Sequence, residues 1–185
     1  MLRSIMCILI IFLSLIVTAE EEPPKEGFAV FHSGTLIPEY GKIATVAGMQ
    51  KLPTDTYFKV SFDIAKPAKG GELNRALNSG ARFLNMHVEN GIKAEQIKLA
   101  FVIHGGAVHD MTVDTHYSDR NGQPNANAAL IKALQAHSVE IFVCGQSAAY
   151  HGITKDLLLP GVKLSLSAMT AHALLQQQGY TLNPF

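Results

Sequence analysis

The sequence predicts an α/β protein with a mostly parallel sheet and helices on both of its faces. Three observations carry this expectation. Apolar runs of strand length recur at 57–64, 97–103, 139–143 and 162–166. Between them lie segments with apolar residues at helical spacing. Glycine or an Asn-Gly pair punctuates the junctions. Strands that alternate with helices imply crossover connections, and crossovers imply parallel pairing.

The first element is a leader. Arg3 supplies a positive charge, residues 5–17 form an apolar core broken by Ser14, and Val17-Thr18-Ala19 offers a cleavage site before Glu20. The apolar core is shorter than the roughly 20 residues that span a bilayer. Residues 1–19 therefore read as a signal peptide, and the mature chain as periplasmic or secreted, free of the membrane after cleavage. Residues 20–55 read as an N-terminal arm punctuated by Pro23, Pro24, Pro38 and Pro53, with Phe28-Ala29-Val30-Phe31 pairing as an edge of a loose hairpin. Residues 56–185 are the α/β domain.

Within that domain, 57–64 is rich in strand formers, and Pro67 and Gly70-Gly71 end it. Leu73, Ala76, Leu77, Ala81, Leu84 and Val88 then mark a helix that Asn90-Gly91 stops. A buried strand at 97–103 closes on His104-Gly105-Gly106, and a polar loop is expected over 105–125. A helix at 127–136 with Ala128, Ile131 and Leu134 in register leads to the third strand, which ends at Cys144. A helical turn at 147–150, a strand at 162–166, a helix at 168–178 and a short strand at 180–182 complete the order.

Composition excludes several classes. The chain has 15 basic and 15 acidic residues. Loss of residues 1–19 removes Arg3 alone, leaving 15 − 1 = 14 basic against 15 acidic, a net charge of −1. Nothing in that balance attracts nucleic acid or anionic lipid. The glycines after the second strand lack G-x-G-x-x-G spacing, no P-loop lysine follows, and no G-x-S-x-G elbow is present. No cofactor is called for, and no tight ligand spacing assigns a metal.

Of the two cysteines, Cys7 lies in the leader, so Cys144 is a lone thiol in an exported chain. In open α/β sheets ligands bind outside the carboxyl ends of the strands. His104 follows the second strand, Cys144 the third, and the segment containing His172 the fourth, so all three converge on one edge. A thiol at a strand-to-helix turn meets backbone N–H groups that favour the thiolate. Gly145 is expected to let another molecule approach the sulfur, with Gln146 and Ser147 as donors and Gly105 lining the site. His151, two helical turns past Cys144, is a second candidate base beside His104. The eight histidines, with His104, His109 and His116 crowding one loop, also permit a rival: a module holding a soft metal or small ligand through Cys144, His104 and His109 or His172. A third reading is an assembly protein with an inert buried thiol.

The run Leu99-Ala100-Phe101-Val102-Ile103-His104-Gly105-Gly106, the turn Glu140-Ile141-Phe142-Val143-Cys144-Gly145-Gln146-Ser147, the stretch Leu158-Leu159-Pro160-Gly161-Val162 and the terminal Leu174-Leu175-Gln176-Gln177-Gln178-Gly179-Tyr180 resemble the DsrE/DsrF-like superfamily. The resemblance covers about residues 57–180. It implies a flavodoxin-like, Rossmann-like fold, assembly as a homotrimer or homohexamer, and sulfur carried as a persulfide on the cysteine matching Cys144. The partners it implies are a sulfur donor or acceptor protein, or a small sulfur compound. The leader and the added arm set this chain apart from the family's cytoplasmic carriers.

Overall fold

A computed structural model describes residues 27–183. The expected signal peptide and the first part of the arm lie outside the described residues. Five strands, β1 (Phe58–Ile64), β2 (Ile97–Ile103), β3 (Glu140–Cys144), β4 (Lys163–Ser165) and β5 (Thr181–Asn183), form one sheet in the order β4-β3-β2-β1-β5. Every pair is parallel, with Ile64 opposite Ile103 and Ile103 opposite Val143. The helices are α1 (Arg75–Glu89), α2 (Asp114–Asn121), α3 (Asn127–Ala136), α4 (Gly145–Tyr150) and α5 (Ala168–Gln177).

Handedness explains where the helices go. From β1 to β4 the chain steps across the sheet in one direction, and right-handed crossovers put those connections on one face. The return from β4 to β5 runs the opposite way, so α5 lands on the other face. The strands alternate to match. Phe62, Phe101, Ile141 and Val143 join α1 and α3 residues such as Leu77, Leu84, Leu130 and Ile131 in the main core. Ala100 and Val102 pack with Ala171 and Leu175 of α5, flanked by Phe142 and Tyr180. The central strands β2 and β3 thus bury both faces, which is why they read as continuous apolar runs, while the edge strands β4 and β5 stay largely exposed.

Two expectations are corrected. Residues 105–125 are not a polar loop: a 3-10 helix spans Gly105–Met111, with Ala107, Val108, His109, Asp110 and Met111 buried, and α2 follows it. Its acid is an internal partner, since buried Asp110 accepts from Ala68 N–H and Asn74 Nδ2, both at 2.8 Å. Residues 28–31 do not form an edge either, because a 3-10 turn occupies Gly27–Val30. What remains of the hairpin is one antiparallel bridge, His32 to Ile43. The arm instead straps onto α1. Buried Asn85 accepts from Ile37 N–H at 2.8 Å and donates to the carbonyls of Ile37, Tyr40 and Gly41. The loop satisfies much of its backbone through side chains of α1, with Asn78 accepting from Gly41 N–H and Arg82 donating to the Lys42 carbonyl beside Asn85.

Candidate functional site

Cys144 ends β3 and serves as the N-cap of α4. The chain leaves β3 toward the face that buries Ala148 of α4 with the main core, and it leaves β4 toward α5 on the opposite face. That divergence is the topological switch point of an open α/β sheet, where a crevice forms. The thiol therefore sits between the first turns of two helices. It is 5 % exposed. Burial opposes its ionisation, but hydrogen bonds from the Ser147 hydroxyl and from the amides of Ser147, Ala168 and Gln146 outweigh burial and hold the thiol below its ordinary value.

The neighbouring residues fall into place around the sulfur. Gly105 N–H donates to Ser147 Oγ at 3.0 Å, which ties the end of β2 to the thiol's donor. Gly105 has φ +54°, which favours glycine, and a Cβ there would stand a tight 3.2 Å from the Ala65 carbonyl oxygen. A Cβ on Gly145 would lie 2.5 Å from the Ser165 carbonyl oxygen. Gly145 thus makes room for the chain leaving β4 rather than for an incoming molecule. Gln146 spends its side chain on the Leu166 carbonyl at 3.3 Å and offers the sulfur its backbone amide.

His104 follows β2, one residue past the Ile103–Val143 pair, and so lies beside Cys144 on the α5 face. Its Nε2 meets Asp63 Oδ2 at 3.0 Å. Asp63 Oδ1 meets His172 Nε2 of α5 at 2.8 Å. One carboxylate thus joins two imidazoles from different elements. Burial pushes Asp63 up, but the two histidine contacts prevail and hold it below the usual carboxylate range. Donation of Nε2–H to Asp63 leaves His104 Nδ1 as the acceptor nitrogen when the ring is neutral. His172 Nδ1 is buried without a hydrogen-bond partner.

Not every candidate joins this group. His151 caps the far end of α4 and turns its ring toward His109, with centroids 4.6 Å apart. The thiol's hydrogen bonds come from Ser147, Gln146 and Ala168, and His151 contributes none of them. The ligand set of the metal rival is not assembled: His104 and His172 share Asp63, while His109 packs on His151. Among the described residues, no group of three or more His, Cys, Asp or Glu side chains is placed to hold a metal ion.

Asp63 was not among the residues singled out from the sequence, although it is the one acid in Phe58–Ile64 and sits at the strand's carboxyl end. The rule that selected His104 and Cys144, applied to β1, selects it too. The Ala168 amide was also missed, and no side-chain pattern could have shown it.

A doubly wound parallel sheet with a hydrogen-bonded thiol at its switch point defines the class: a flavodoxin-like α/β domain with its candidate site at the strand ends. The model of the DsrE/DsrF-like family matches residues 59–184, and the chain belongs to that family, which is generally one of sulfur relay. Among solved structures, the protein of unknown function MTH1491 from Methanobacterium thermoautotrophicum is similar with a TM-score of 0.54 and 18% identity. That likeness covers 69% of this chain and 99% of that one. The ychN protein from E. coli is similar with a TM-score of 0.51 and 15% identity, over 69% of this chain and 99% of its own. These likenesses are of fold. No curated protein matches the chain.

Proposed function

We propose that the protein takes up sulfane sulfur on Cys144 and holds it as a persulfide for transfer. The observation that carries this reading is the thiol kept below its ordinary pKa by donors from two helices at the switch point. In the step proposed, the Cys144 thiolate attacks the outer sulfur of a donor R–S–SH. A bond forms between the Cys144 sulfur and that outer sulfur, the donor's own S–S bond breaks, and R–S⁻ leaves with that bond's electron pair. Cys144 is left as Cys–S–SH. No outside oxidant or reductant is needed. The amides of Gln146, Ser147 and Ala168 face whichever sulfur carries the anion. His104, oriented by Asp63, takes the proton when the thiol ionises.

The reading includes export, supported by Arg3, the apolar run and the cleavage site before Glu20. It also includes self-assembly as a trimer or hexamer, supported by Leu164, Leu166, Met169 and Leu174, which leave an exposed apolar surface on β4, α5 and the link between them. The test is intact-mass analysis after incubation with polysulfide. The wild type gains sulfur that reductant removes, and Cys144→Ser gains none while keeping its circular dichroism. Equal loading of Cys144→Ser would reject the mechanism.

A further inference from the structure

A cavity of about 720 Å³ opens at the carboxyl end of β1, with Asp63 in its wall. It is large enough for a small organic molecule. Apolar Ala65, Pro67 and Leu73 line it together with Lys66, Lys69 and Arg75. None of these three cations belongs to the ion pairs formed among the described residues. Of the two acids in the wall, Glu72 and Asp63, the second already shares its charge between His104 and His172. The wall is held in place before any ligand arrives. Ala68 N–H and Asn74 Nδ2 both donate to Asp110, and Asn74 Nδ2 also donates to the Lys66 carbonyl at 3.0 Å.

Position and reach define the occupant. Neighbouring parallel strands lie about 4.8 Å apart and residues rise about 3.3 Å along them, so Asp63 on β1, level with Phe142, stands about 12 Å from Cys144 on β3, with His104 on the strand between them. A small inorganic anion bound at the three cations would not reach the thiol. An extended organic acid would, with its carboxylates on the cations and its sulfur at Cys144. We infer that the cavity binds a carboxylate-bearing low-molecular-weight thiol, and that the persulfide of this thiol is the donor to Cys144. The donor role rests on the sulfur-uptake reading above; the binding role does not. The step is the one already balanced, with R–S⁻ as the carboxylate-bearing thiolate left behind in the cavity.

Two measurements on the full chain separate these roles. The first is calorimetric binding of S-methylglutathione, which carries the carboxylates but cannot react. The wild type binds it, and the variant Lys66→Gln/Lys69→Gln/Arg75→Gln binds about tenfold more weakly or worse. No binding by the wild type, or equal binding by both proteins, overturns the inference. The second is the rate of sulfur loading at low donor concentration. Glutathione persulfide loads the triple variant about tenfold more slowly than the wild type, whereas its diethyl ester loads both alike. Thiosulfate that loads the wild type as fast as glutathione persulfide, with the same dependence on the three cations, overturns the extended ligand. Cation-dependent binding of S-methylglutathione with no sulfur taken from any donor sinks the sulfur reading and supports the ligand class.

Discussion

Ser147 links two features of the site that lie on different strands. Its hydroxyl donates to the Cys144 sulfur and accepts from Gly105 N–H, so the end of β2 orients the donor that favours the thiolate on β3. A hydrogen bond to a charged group contributes about 1.5–3 kcal/mol, and water regains part of that when the group is removed. Ser147→Ala is therefore expected to move the pH midpoint of Cys144 alkylation up by about one unit, and Ser147→Thr to restore it. An unmoved midpoint in Ser147→Ala would assign thiolate stabilisation to the backbone amides alone. The residues legible in the sequence were those carried by position at a strand end, Cys144 and His104. Asp63 obeys the same rule and was overlooked because an acid inside a strand-forming run reads as the solvated side of an alternation. His151 fell outside the site for a geometric reason: the six residues of α4 lie between it and Cys144, a rise of about 10 Å.

At the scale of elements, the 3-10 helix Gly105–Met111 shows what a polar sequence conceals. His109 is 6 % exposed, and both its ring nitrogens lack a hydrogen-bond partner. Burial, with Arg120, His151 and His116 nearby, pushes its pKa down to about 4 from the ordinary 6.5. The sign follows directly. Between those values the unfolded chain binds a proton that the folded chain refuses, so stability present above pH 6.5 is lost as pH falls toward 4. The loss across the window is about 3 kcal/mol at most, and solvent screening lowers it. His109→Phe, which fills the space without titrating, should lose correspondingly less stability between neutral pH and that acid limit in urea unfolding. Parallel pH profiles for the two proteins would exclude His109 as the source. Elements whose apolar spacing follows their own period were visible in the sequence, α3 and β2 most clearly. The 105–125 segment was not, because Asp110 and Asp114 accept from Ala68, Asn74 and Asn125 and His109 is buried by packing, so polar residues there do not mark solvent. Patterning reports solvent-facing polarity and cannot distinguish it from this.

At the scale of the whole molecule, one face of the sheet carries α1 and α3, and the other carries α5. Parallel sheets need both faces covered. Leu166 and Met169, 72% and 80% exposed, stand on the α5 side near the chain leaving β4. Self-association that covers this surface should appear in sedimentation as a trimer or hexamer, and Leu166→Glu with Met169→Glu should shift it toward the monomer. A wild type that sediments as a monomer would reject the assembly reading. The doubly wound architecture was legible because strand and helix periods alternate along the chain. The arm's route was not, since its docking depends on Asn85, an amide within the periodic helix pattern that carries no loop signal of its own.

The measurement that tests the central claim most directly is an intact-mass spectrum of the protein isolated without added thiols. The account predicts a fraction heavier by whole sulfur atoms, converted to the bare mass by reductant and absent from Cys144→Ser. A bare mass throughout, with a Cys144 that resists alkylation until the protein unfolds, would contradict it and leave the thiol as a packed side chain.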